Sequence, residues 1–207
     1  PAGLHRVRDL LEAAPRLPLR LDAGFDRLGS IRLIHRMLRR SSGRRHLSAS
    51  LIESLIQAGK LYADSRGNAV FLMVAGKAQR PIGAELRGTG QRVWRGLAPG
   101  TGRDAGYFWI GPACSERRAG CRRIVLCESA IDAISCHAIH SNHICVSTSG
   151  VRSNSLWLPT LLSNGYQIHC GFDADTAGDT AANAMMTIHP SIKRLRPNAK
   201  DWNDVLA

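Results

Sequence analysis

The chain of 207 residues is short of acids and aromatics: 16 Asp and Glu stand against 28 Lys and Arg, and Phe, Trp and Tyr fill 5% of positions. The shortage of acid leaves a formal charge of +12, which calls for a polyanionic partner, a nucleic acid or an anionic membrane face. No apolar run approaches the ~20 residues of a membrane span and no signal-peptide pattern opens the chain. The reading is therefore a cytoplasmic protein without a membrane partner. The six cysteines form no C-x-x-C pair and the eight histidines complete no zinc spacing. The cysteines read as buried free thiols in a reducing compartment. Chain disorder is excluded by 44% hydrophobic content. The first residue is Pro1, so the sequence reads as part of a longer parent chain with further domains.

What charge there is lies unevenly. Residues 1–110 hold 19 basic and 8 acidic residues, a net +11, whereas 111–207 hold 9 and 8. Residues 1–29 read as a lead-in. "SIRLIHRMLRR" (30–40) has helical spacing, and "SLIESLIQAGK" (50–60) opens with a capping box, Ser50 with Glu53, and stops at Gly59. Short alternating runs follow, through "KLYA", "AVFLMVA", "IGAELRG" and "GYFWIG", and predict a small antiparallel sheet. Residues 30–115 thus read as a small basic α+β module.

From Cys121 the pattern changes. "RRIVLCE", "HICVSTSG", "YQIHCGFDAD" and "SIKRLRP" are strands alternating with helical stretches. Over 120–207 this predicts an α/β, Rossmann-like unit: a four-stranded, mostly parallel sheet flanked by helices. Its acids are grouped. Glu128 ends the first strand, with Asp132 one turn on; Asp173 and Asp175 end the third, with Asp179 one turn on; Asp201 and Asp204 follow the last. In a parallel sheet those ends share one edge, where α/β folds bind ligands. Converging carboxylates repel unless a cation sits among them, and hard oxygen ligands suit Mg²⁺ or Mn²⁺. Each acid alone has a plain structural use, as a helix cap or a solvated helix residue. Gly178 lets the chain turn closely beneath the site or simply packs helix on strand. The hydroxyls and N–H groups of "STSG" (147–150) suit a phosphate or an ordinary N-cap turn.

"IVLCESAIDAIS" followed by "GFDADTAG" resembles the Toprim domain of bacterial replicative primases, type IA and II topoisomerases, overcoming-lysogenization-type nucleases and recombination proteins of the RecR type. The stretch from about residue 30 to 111 is similar to an uncharacterised domain that often precedes Toprim in primase-like and mobilisation proteins of mobile elements. The Toprim resemblance implies Glu128 as general acid/base or metal ligand, Asp173 and Asp175 as Mg²⁺ ligands, and Asp132 and Asp201 as further metal-holding acids. It implies phosphoryl transfer on DNA, with an RNA primer and nucleotides as further partners. A nuclease and a non-catalytic DNA-binding module are the rival readings. The chain departs from the pattern in two respects: it has no zinc ribbon, and Tyr62, Tyr107 and Tyr166 stand in no nucleophile setting.

The basic half carries two candidate nucleic-acid surfaces. "HRMLRRSSGRR" (35–45) supplies Arg36, Arg39, Arg40, Arg44 and Arg45. "ELRGTGQRVWRGLAPGTGR" (85–103) supplies Arg87, Arg92, Arg95 and Arg103, with Trp94 to stack on a base. Lys200, beside Asp201, is a further phosphate contact.

Overall fold

The computed structural model describes residues 47–76, 78–88, 94–112 and 122–206. The lead-in, the helix expected over 30–40, and Arg36, Arg39, Arg40, Arg44, Arg45 and Arg92 lie outside the described residues. The rest divides into two compact units, with Ser48–Tyr107 in the first and the chain from Phe108 onward in the second.

The first unit opens with helix α1 (Ala49–Gln57), which buries Ile52 and Leu55. Its N-cap is Ser48, whose hydroxyl accepts the Leu51 N–H at 3.2 Å; the box expected at Ser50 lies two residues too late. Gly59 does end the helix, with φ +68°, a conformation that costs a side chain dearly. Four antiparallel strands follow in sequential order: β1 (Leu61–Ala63), β2 (Ala69–Ala75), β3 (Arg80–Arg87) and β4 (Arg95–Leu97). Asp64 fixes the β1–β2 turn, its Oδ1 accepting the N–H groups of Arg66 and Asn68.

"GYFWIG" is a strand, β5 (Phe108–Ile110), but it belongs to the second unit, where it pairs antiparallel with the strand Ile144–Ser147. That unit therefore has five strands rather than four. They are β5, β6 (Arg123–Cys127), β7 (Ile144–Ser147), β8 (Gln167–Cys170) and β9 (Lys193–Arg194), in the order β5-β7-β6-β8-β9, and all but β5 run parallel. The helices are α2 (Ala130–Ile139), α3 (Leu158–Ser163), α4 (Thr176–Ile188) and α5 (Trp202–Val205). β6 is buried from Ile124 to Cys127, as a central parallel strand covered on both faces must be. Cys127, Cys136, Cys145 and Cys170 are buried thiols outside any disulfide. The chain moves from β6 to β7 on one side, then crosses to β8 on the other. The order thus reverses at β6, and the carboxyl ends of β6 and β8 flank the switch point. No helix among the described residues is long and apolar enough to cross a membrane.

Candidate active site

The switch-point edge holds the acids. Glu128 follows β6, and its Oε1 accepts the backbone N–H of Asp173 at 3.1 Å. That one bond joins two sequence blocks 45 positions apart. Asp132 lies in the first turn of α2, whose N-cap Ser129 donates its hydroxyl to Asp132 Oδ2 at 2.5 Å. Asp175 is the N-cap of α4, its Oδ1 accepting the Gly178 N–H at 2.8 Å. Asp201 caps α5 in the same way through Asp204 N–H. Both acids therefore serve as caps with one oxygen while facing the edge.

The backbone N–H groups of Thr148, Ser149 and Gly150 in "STSG" do not form a phosphate cradle. The Thr148 N–H bonds the Cys127 carbonyl, the Ser149 N–H bonds Ser147 Oγ, and the Gly150 N–H bonds the Glu128 carbonyl at 2.7 Å. These three backbone donors are engaged within the protein and are not left for an anion. The loop instead fixes the backbone that carries Glu128.

Asp173 is the focus of the electrostatics. Its Oδ1 is buried without a hydrogen-bond partner. Burial first, then the charges of Asp132, Glu128, Asp201 and Asp175, push its carboxyl up to about 8. Asp179, grouped with these acids in the sequence, takes another path: it pairs with Arg194 at 2.8 Å and Arg196 at 3.1 Å. Among the described residues no three His, Cys, Asp or Glu side chains close into a ready metal cage. The donor set still fits Mg²⁺ or Mn²⁺. These ions keep several waters and bind through one or two carboxylates plus substrate phosphate, and a cation would relieve both the orphaned oxygen and the crowding around it.

Sequence reasoning missed the device that shapes the Asp173 loop. Arg194 of β9 donates Nη1 to the carbonyls of Cys170 and Phe172, and Nη2 to the carbonyl of Asp173 and to Asp179 Oδ1. Arg196 adds a bond to the Ala174 carbonyl. From the other side Ala174 N–H bonds the Lys200 carbonyl, and Trp202 Nε1 donates to the Gly171 carbonyl. A basic, alternating strand gives no sign that its arginines serve backbone carbonyls. Lys200 itself has an exposed side chain.

Gly178 lies under the same loop. A Cβ there would stand 2.3 Å from the Asp173 carbonyl oxygen, which is backbone and cannot swing aside. Helix propensity alone would reward Gly178→Ala by about 1 kcal/mol. Overpacking against fixed backbone costs about 1–3 kcal/mol and outweighs it. The variant is expected to unfold at lower urea with an unchanged slope; a midpoint equal to or above wild type would contradict the close approach.

In the first unit, Arg87 and Arg95 stand directly opposite each other across β3 and β4. Like charges so placed repel, and a polyanion would offset that. Arg95 and Arg103 are exposed. Trp94 is 43% exposed.

Residues 125–206 match the family model described as Toprim-like. They form a Toprim-like domain. Residues 42–109, ahead of this domain, match the family "Protein of unknown function (DUF3991)". No curated protein matches the chain. Among solved structures the chain is similar to a DnaG primase catalytic domain bound to single-stranded DNA, with TM-score 0.57 and 17% identity over 97% of this chain and 75% of that one. It is also similar to the primase fragment of the bacteriophage T7 primase-helicase, with TM-score 0.56 and 17% identity over 77% of this chain. The match spans 66% of that fragment's own length. A third likeness is to the DnaG catalytic core, with TM-score 0.52 and 18% identity over 99% of this chain and 73% of that one. At these identities the likeness is one of fold.

Proposed function

We propose that the chain carries out Mg²⁺- or Mn²⁺-dependent phosphoryl transfer on nucleic acid, as the primase-like Toprim part of a mobile-element DNA replication or transfer protein. The observation that carries this reading is the convergence of Glu128, Asp132, Asp173, Asp175 and Asp201 at one sheet edge, around a buried Asp173 oxygen that no protein group satisfies. Asp173 and Asp175 would hold the metal, with Asp132 and Asp201 supporting it. When bound, the ion would neutralise the charge on the phosphoryl group being transferred. Glu128, held by the Asp173 amide, would take the proton from an attacking hydroxyl or ligate metal. The basic first unit would hold the template strand through Arg87, Arg95, Arg103 and the arginines ahead of them, with nucleotides and a growing RNA primer as the other partners. Lys200 would contact phosphate beside the acids. The cytoplasm is the matching compartment.

Metal titration followed by thermal shift tests this, on wild type and on Asp173→Asn/Asp175→Asn. Asn caps helices about as well as Asp, so the pair of changes removes charge while keeping the start of α4. Stabilisation by Mg²⁺ or Mn²⁺ in wild type, lost in the double variant, is the expected result. It opens the choice between primer synthesis on a single-stranded template and strand cutting by water. No metal response in wild type, with or without DNA, would sink the catalytic reading.

A further inference from the structure

We infer that the first unit carries, on one face of its four-stranded sheet, a pocket for an unpaired nucleobase of a single strand, with Trp94 and Tyr62 as its stacking surfaces and Arg66 as a phosphate contact. The inference rests on the nucleic-acid reading above and adds to it a site in a module whose family has no known function.

The sheet register builds the pocket. Tyr62 pairs with Val70, Val70 with Leu86, and Leu86 with Gly96, so one cross-strand row runs over all four strands. Neighbours in a row across strands share a face. The alternate residues Leu61, Phe71 and Met73 are fully buried and form the core side. The row's own side is concave: a pocket of about 650 Å³ opens there, floored by Val70 and Ala84 and walled by Tyr62 and Trp94. That volume falls in the range of small-ligand sites, and the small floor residues leave room for a flat ring.

Trp94 is the only large apolar side chain exposed among the described residues of this unit. Its ring lies over Gly96, where a Cβ would come within 3.0 Å of it. The glycine thus lets the indole lie along the sheet with its outer face open. An aromatic ring held this way on a sheet is how single strands are stacked without sequence preference. The charge on the rim agrees. Asp64, the acid at the pocket, has Oδ1 bound by two backbone N–H groups and Oδ2 by Asn68 Nδ2. Arg66, two residues on, is exposed beside it. The net +11 over residues 1–110 favours a polyanion over a protein or an apolar ligand.

The test uses the whole chain, a fluorescein-labelled single-stranded oligothymidylate and EDTA, so that no metal-dependent contact contributes. Binding is read by anisotropy and by tryptophan emission. Trp94→Ala is expected to weaken binding about tenfold or more, while Trp94→Phe keeps most of the affinity. Quenching on binding, present in wild type, should vanish in both. Arg66→Ala should lower the slope of log affinity against log salt by about 0.7. Wild-type affinity and quenching in Trp94→Ala would overturn the site and leave nucleic-acid binding standing. So would duplex competing as well as single strand. Failure of wild type to bind any strand would remove both readings. If Trp94→Ala does not fold, the Trp94→Phe quench and the Arg66→Ala slope decide.

Discussion

Replacing Asp173 by Asn should raise the unfolding midpoint of the metal-free protein at about pH 8.5 by roughly 4–8 °C. The sign follows from the direction of the shift. The folded protein holds the Asp173 proton up to about pH 8, whereas an ordinary aspartate titrates near 3.8, so the unfolded chain loses it near pH 4. Between those values the folded state binds more protons, and stability falls as pH rises. It is highest below about pH 4 and levels off above about pH 8. Each pH unit of such a shift is worth about 1.4 kcal/mol, and because Asp173 is only half-buried, solvent screening reduces the whole to about 2 kcal/mol. Asn has no proton to lose, so the variant should be flat across that window. Adding Mg²⁺ should reverse the order, because wild type gains from the ion and the variant does not. Melts across the pH range, in EDTA and then in millimolar Mg²⁺, check this; parallel curves for the two proteins would show that Asp173 does not feel its four acidic neighbours.

The second large effect is expected at Arg194, which belongs to no acid cluster and reads as an ordinary basic strand residue. Its side chain is 17% exposed and ties three carbonyls of the Asp173 loop to Asp179. Removing the guanidinium takes the side-chain donor from three carbonyls of the loop at once, and a desolvated acceptor left unmatched costs about 1–3 kcal/mol. Arg194→Ala should fall in that range. Arg194→Lys should recover little, because one ammonium cannot span the carbonyls that a planar fork reaches from two nitrogens. Arg196, half-exposed on the same acid, is the comparison: Arg196→Ala should cost far less, as the loss of an exposed ion pair does. In Arg194→Ala the Ala174 amide, bonded to the Lys200 carbonyl in wild type, should also exchange faster with solvent. Equal costs for the two arginines would refute the clamp.

The contrast between Arg194 and Asp173 marks what can be read from sequence here. Strands and helices of the second unit were legible because their apolar runs and helical periods are long, and the strand ends carry the acids. Pairing was not. "GYFWIG" reads correctly as a strand, but nothing in its alternation says that Phe108–Ile110 joins β7 instead of the meander before it. The cap of α1 was misplaced because Ser48 and Ser50 both suit the role, and only the backbone at Ser48, extended at φ −66° and ψ 142°, chooses between them. The grouping of the acids was legible because each group follows the end of a strand. That Asp175 and Asp201 cap helices could be foreseen only as one of two uses for each. The clamp was invisible, because its targets are carbonyls, which every residue has.

The bond from the Asp173 amide to Glu128 Oε1 has a further consequence. A carboxylate accepts such a bond more strongly than a carboxylic acid does, and the amide proton's resonance frequency follows that strength. The ¹⁵N–¹H signal of Asp173 thus responds to the Glu128 carboxyl as well as to its own, and Asp173→Asn leaves the Glu128 contribution to be read in solution without turnover.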